Sequence, residues 1–264
     1  MKSEISGNTR YSIAGEGPAV VLVHGLGLNR QMWQWQLDSL KPHFKVITYD
    51  LLGHGESHKP AGEFKLAHMV AQLADLLNAL EVTQCGLVGF SLGGQIVQAF
   101  TLAHPDKVFA LAILNAAHSR TDEQRAAIMQ RVRQVEQGGG EVTASDAMLR
   151  WFGANFAARH PEVLASVKEW VISNDRGVYP RLYEMMAHSD IGLETAISAI
   201  QCRTIVVTGS EDYGNSPEMA ESMAALIPNA RAVILPGLRH MALAEDPEAV
   251  NSLLVPFLLG TDGL

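Results

Sequence analysis

Cys85-Gly86-Leu87-Val88-Gly89-Phe90-Ser91-Leu92-Gly93-Gly94 is a short apolar run that opens, through glycines and one serine, into the helical pattern of Gln95 to His104. A strand that enters a helix through a tight G-x-S-x-G turn lifts the Ser91 hydroxyl clear of a sheet. It also leaves the Leu92 amide at a helix N-terminus, where it can donate to a developing oxyanion. Gly89 and Gly93 leave room for neighbouring chains around a serine held in a strained backbone conformation. The motif alone is moderately specific, and the strand-to-helix context gives it its weight.

Outward from this turn the same alternation continues. Ala19–Val23, Lys45–Tyr49, Val108–Leu114, Thr204–Thr208 and Ala232–Leu235 are short β-rich runs, and Ala19–Val23 is apolar throughout, as a strand covered on both faces must be. Between them lie helical patterns at Leu66–Leu80 and Pro247–Leu259, with apolar residues spaced at a period of 3.6. Strands alternating with helices predict a parallel α/β sheet. From Ser119 to Leu193 no strand is evident, only helix-like segments at Glu123–Glu136, Ala144–Arg159 and Glu162–Ser173. The reading is a sheet core over residues 1–118 and 194–264, with residues 119–193 inserted as a helical cap over the strand ends.

Composition narrows the function classes. The 264 residues are 47% hydrophobic and 18% charged, with 20 Lys plus Arg against 28 Asp plus Glu and a net charge of −8. That is a globular chain large enough to bury a core without disulfides or metals. Its acidic balance argues against a nucleic-acid surface, which needs clustered Lys and Arg. No apolar run approaches the roughly 18 residues of a spanning helix, so no membrane partner is expected. The two cysteines, Cys85 and Cys202, sit beside strand-like runs and read as buried free thiols. With no apolar leader after Met1-Lys2-Ser3-Glu4, the expected location is cytoplasmic. A homo-oligomer is left open.

A serine nucleophile needs a base, and in this motif the acid and then the histidine follow it in the chain. Of ten histidines, His240 alone lies beyond the strand at which the acid should stand, in Leu235-Pro236-Gly237-Leu238-Arg239-His240. Thr204-Ile205-Val206-Val207-Thr208-Gly209-Ser210-Glu211-Asp212 is that strand, with a glycine exit and two carboxylates. Asp212 is the better candidate, since a short side chain in a turn orients an imidazole firmly. Glu211 is the rival, and Asp190 falls too early. The second oxyanion donor should be the Leu26 amide, in the His24-Gly25-Leu26-Gly27 loop after the Ala19–Val23 strand, beside that of Leu92. His24 is expected to brace this loop, not to react.

At these residues the chain resembles the α/β-hydrolase superfamily. Besides the Ser91 turn, Gly209-x-x-Asp212 and His240, the resemblance takes in His24-Gly25 and Asp50-Leu51-Leu52-Gly53-His54-Gly55-Glu56-Ser57, which looks like the family's structural D-x-x-G-x-G-x-S turn. It implies an eight-stranded, mostly parallel sheet flanked by helices, a cap after the sixth strand, and no cofactor. Within the superfamily, Gly15-Glu16-Gly17-Pro18, Met32-Trp33 and Arg150-Trp151-Phe152 look most like the 3-oxoadipate enol-lactonase type and small carboxylesterases. The resemblance therefore implies acyl transfer from a small ester or lactone to water through a Ser91-Asp212-His240 triad. Amide or C–C bond hydrolysis and ligand sensing on the same scaffold are the alternatives. Dehalogenases and epoxide hydrolases of this fold carry Asp where Ser91 stands.

The substrate side is less sharply written. Trp33, Arg150 and Trp151 are expected pocket residues. A carboxylate-bearing substrate would need a cation, and Arg150, Arg159, Arg176 and Arg181 are available in the cap. His118, just past the sixth strand, faces either the cavity or solvent. No metal cluster stands out, because the Gly53-His54-Gly55 turn keeps His54 and His58 off a shared helix face.

Overall fold

The computed structural model describes residues 2–262 and pairs eight strands into one sheet. These are β1 (Lys2–Ser6), β2 (Thr9–Ala14), β3 (Ala19–Val23), β4 (Lys45–Tyr49), β5 (Cys85–Phe90), β6 (Val108–Leu114), β7 (Arg203–Gly209) and β8 (Ala230–Leu235). Their spatial order is β1-β2-β4-β3-β5-β6-β7-β8. β1 pairs with β2, and β2 with β4, antiparallel; the remaining pairs are parallel. Every residue of β3 and β5 is buried, which accounts for their unbroken apolar runs.

In chain order the helices are α1 (Gln34–Leu40), α2 (Leu66–Ala79), α3 (Leu92–Ala103), α4 (Asp122–Gly138), α5 (Glu141–Trp151), α6 (Ala154–Arg159), α7 (Pro161–Ile172), α8 (Tyr179–His188), α9 (Leu193–Ala196), α10 (Pro217–Leu226), α11 (Ala242–Glu245) and α12 (Pro247–Leu259). α3 packs on β5 and β6, α10 on β7 and β8, and α12 against α1 and β6. From β3 the chain goes to β4 on one side, whereas β5 on the other side leads on to β6. The connections diverge at this pair, so a crevice opens beyond the C-terminal ends of β3 and β5.

Helices α4 to α8 all lie between β6 and β7 and pack chiefly on one another, α4 on α5 and α8, and α5 on α7. The stretch Ala144–Arg159, expected as a single helix, is broken. Phe152 and Gly153 are extended. The break has a tertiary cause: the Gly153 amide donates to Glu245 Oε1 at 2.6 Å, and the Trp151 carbonyl accepts from the Met241 amide at 2.9 Å. Cys85 is buried and its thiol is pushed up to about 12 by burial, while Cys202 is only partly covered. Among the described residues no helix is long and apolar enough to cross a membrane.

Candidate active site

The turn between β5 and α3 holds Ser91 at φ 54° and ψ −116°, a region that side-chain-bearing residues rarely occupy. Its amide donates to the Leu114 carbonyl at the end of β6 (2.9 Å), so the neighbouring strand holds the strained residue in place. A Cβ on Gly93 would collide with the Val23 and His24 carbonyl oxygens, and one on Gly89 with the Gly93 carbonyl. The glycines are therefore required by close approach of main chain.

Asp212 and His240 come from the turns after β7 and β8. Both are buried, and His240 Nδ1 lies 2.8 Å from Asp212 Oδ2. Asp212 Oδ2 also accepts from Asn115 Nδ2 at 3.0 Å, and Oδ1 accepts from the amides of Gly214 (3.2 Å) and Asn215 (3.1 Å). Burial alone would raise the Asp212 carboxyl. The His240 ring, Asn115 and the Asn215 amide outweigh it, and the group is held below the usual carboxylate range. The imidazole sits between the Phe90 and Trp151 rings, at centroid distances of 4.9 and 5.8 Å. Glu211, the rival acid, turns away to Arg239, and Asp190 accepts from Arg120 and Arg125.

The loop after β3 is braced by two histidines. His24 Nε2 accepts from the Leu51 amide at 2.9 Å, so Nδ1 carries the proton and donates to the Gly25 carbonyl at 2.8 Å. His54 Nε2 accepts from the Gly27 amide at 3.1 Å, and its Nδ1 donates to the Leu52 carbonyl at 3.2 Å. Burial pushes His24 down to about 4 and His54 to about 3, so both are neutral props. The Asp50 carboxylate stabilises the same region by accepting from the amides of Arg30 (2.8 Å) and Glu56 (2.9 Å). Among the described residues neither the Leu26 nor the Leu92 amide has an internal acceptor.

Ser91, Asp212, His240 and Leu26 line one cavity of about 250 Å³, which Arg150 and Trp151 enter from the cap. Trp33 is not among the lining residues: it is fully buried in the core, on the one-turn helix Arg30–Trp33, which directs its indole inward. Nor are the other expected arginines. Arg159 bonds its own helix, Arg176 pairs with Glu141, and Arg181 covers Phe64. His118 faces neither the cavity nor solvent; it is buried. Asn115, Arg131, Tyr179 and Tyr183 were not singled out from the sequence. Only Asn115 carried a signal there, as a polar residue directly after β6 at the strand ends. Among the described residues no group of His, Cys, Asp and Glu side chains is arranged to hold a metal ion.

The model of the alpha/beta hydrolase fold family matches residues 18–247, and the chain belongs to that family. It is an enzyme of the hydrolase class. The chain is 30% identical to (E)-2-((N-methylformamido)methylene)succinate hydrolase of Acinetobacter baylyi over 250 residues, covering 94% of this chain and 93% of the relative. It is 25% identical to 3-oxoadipate enol-lactonase 2 of the same organism, over 91% of this chain and 89% of that one. The crystal structure of the enol-lactonase from Burkholderia xenovorans superposes with a TM-score of 0.89 at 27% identity, covering 98% of this chain and all 100% of the other.

Proposed function

We propose that the protein is a cofactor-free serine hydrolase that cleaves a small ester or lactone through an acyl-enzyme. The observation that carries this is the His240–Asp212 pair, whose imidazole opens onto the same cavity as the strained Ser91. With Nδ1–H donated to Asp212, the Nε2 lone pair is the one left to act as base. His240 takes the Ser91 proton as Oγ attacks the carbonyl carbon, and the oxyanion forms at the Leu26 and Leu92 amides. The imidazolium returns the proton to the leaving oxygen as the C–O bond breaks. Water then repeats the cycle on the acyl-serine and releases the acid.

A second reading, amide hydrolysis, draws on the formamido compound in the name of the Acinetobacter relative. It uses the same steps with an amine leaving group. The test is a panel of small methyl esters, an enol-lactone and simple amides, run alongside labelling by a fluorophosphonate. Labelling should occur in the wild type and vanish in Ser91→Ala, with turnover falling by several orders of magnitude. Full turnover in Ser91→Ala would overturn the reading, and faster cleavage of amides than of esters and lactones would favour the second.

A further inference from the structure

The cap presents four polar side chains to the cavity that have no hydrogen-bond or ion-pair partner among the described residues. Arg131 on α4 and Arg150 at the end of α5 line it, together with Tyr179 and Tyr183 on α8. Among the described residues neither arginine makes an ion pair, and neither phenol makes a hydrogen bond; Arg131 Nε is buried and unpartnered. The other charges of the cavity are already matched. Asp212 holds His240, and Arg120 is joined to Asp190 (2.9 Å) and to the Met186 carbonyl (3.2 Å). Asp146, one turn before Arg150 on α5, is exposed and not within ion-pair distance of it.

Such an arrangement is costly without an occupant. Burial, and the like charge of Arg131, lower the Arg150 guanidinium against the milder opposing pull of Tyr183, Asp146 and Tyr179. Two guanidinium groups on one small cavity repel each other, and although Arg150 is exposed enough for water to serve its donors, Arg131 Nε is buried without an acceptor. A carboxylate resolves both problems, since it accepts forked hydrogen bonds from guanidinium and single ones from phenols. Tyr179 also ties this wall to the reacting end. Its hydroxyl lies 2.8 Å from where a Cβ on Gly27 would stand, next to Leu26 in the oxyanion loop. Its ring meets that of Tyr183 edge-on at 5.7 Å.

We infer that Arg131, Arg150, Tyr179 and Tyr183 form a carboxylate-binding subsite in the cap, so that the substrate is a small ester or lactone carrying a free carboxylate. This rests on the acyl-enzyme reading for the reacting bond, whereas the subsite itself is defined by binding. The net charge of −8 does not draw an anion toward the molecule, so the attraction is local to this wall.

The experiment is calorimetric titration of the Ser91→Ala protein with succinate and with succinamide, its neutral counterpart. Succinate should bind saturably and at least tenfold more tightly than succinamide. Adding Arg131→Gln or Arg150→Gln should weaken succinate at least tenfold, and Arg131→Lys should recover part of that loss. Thermal unfolding checks that each variant is folded. No saturable succinate binding, or one affinity across all variants, would overturn the subsite. On the active protein, the ratio of kcat/KM for monomethyl succinate to that for methyl butyrate should exceed ten and fall at least tenfold in Arg150→Gln; a wild-type ratio near one would overturn the substrate class. If fluorophosphonate labelling fails while succinate still binds through the arginines, the acyl-enzyme reading falls and the subsite stands.

Discussion

Asn115 donates to Asp212 Oδ2 at 3.0 Å, the same oxygen that His240 Nδ1 holds at 2.8 Å. Asn115 itself sits at φ 48°, and its amide donates to the Val207 carbonyl, so the backbone accepts an unusual conformation to bring this side chain to the carboxylate. Three neighbouring strand ends thus converge on one oxygen. On the proposed reading Asn115 is a positioning residue: it holds Asp212, which holds the His240 ring. Replacing it with Leu removes a hydrogen bond to a charged group, a loss of roughly 1.5–3 kcal/mol. Asn115→Leu should lower kcat about tenfold with little change in KM, and the Asp212 carboxyl should titrate at higher pH by carbon NMR. An unchanged kcat would show that His240 and the turn amides suffice.

Gly93 has no space for a side chain, because a methyl group would press on the carbonyl oxygens of Val23 and His24. Backbone cannot rotate aside as a side chain can, so β3 or the elbow must shift. Gly93→Ala should cost about 3 kcal/mol of stability, read by urea unfolding, and abolish fluorophosphonate labelling of Ser91. Wild-type stability in this variant would mean that the two segments separate more easily than their packing implies.

The buried histidines make stability depend on pH. His24 titrates near 4 and His54 near 3 in the folded chain, against about 6.5 when unfolded. Between those values the unfolded chain binds the extra protons, so stability is full above about pH 6.5 and declines as pH falls toward 4. Each group contributes a slope approaching about 1.4 kcal/mol per pH unit. Urea unfolding at pH 7, 6 and 5 should show this decline, and His54→Gln should flatten it. Equal stability at pH 7 and 5 would show that the two rings protonate without loosening the loop.

Asp190 ties the end of the cap to its beginning. It is nearly inaccessible and accepts from the Arg120 amide (2.8 Å) and from the Arg120 and Arg125 guanidinium groups (2.9 and 2.7 Å). Burial opposes its ionisation, but these donors prevail and lower its titration below the ordinary range. The stabilisation is therefore present above about pH 4 and is lost as pH falls through the depressed folded value. Asp190→Asn should destabilise the protein by about 3 kcal/mol at pH 7, because the largely covered Arg120 guanidinium loses its counter-charge and Arg125 is left with only the longer contact to Glu194 (3.8 Å). The gap from wild type should narrow below pH 4. A gap of the same size at pH 3 and pH 7 would show that the charge of Asp190 is not what holds the cap.

The sheet core was more legible in the sequence than the pocket. Strands covered on both faces, such as β3 and β5, must be apolar throughout, so they announce themselves. β1 and β2 went unread because they are short, contain Lys, Glu, Thr and Arg, and pair antiparallel at the sheet edge. The Ser91 turn, Asp212 and His240 follow a fixed chain order, and each stands just past a strand. Pocket residues obey no such order. Arg131 has the same local pattern as any solvated helix arginine, and only the packing of α4 turns it inward. The end of α5 at Trp151 depends on Met241 and Glu245, some ninety positions away, which no local window contains. Trp33 misled for the opposite reason, since proximity in sequence to the loop after β3 does not determine which way a turn points.

Ser91, Asp212, His240 and the Leu26 and Leu92 amides stand on strand exits of the sheet, while Arg131, Arg150, Tyr179 and Tyr183 stand on α4, α5 and α8. On the proposed reading, reactivity and preference are therefore written in separate stretches of the gene. A lineage that rewrote the cap could change its diet while inheriting its chemistry intact, whereas a change at a strand exit would cost it the reaction before any new substrate could matter.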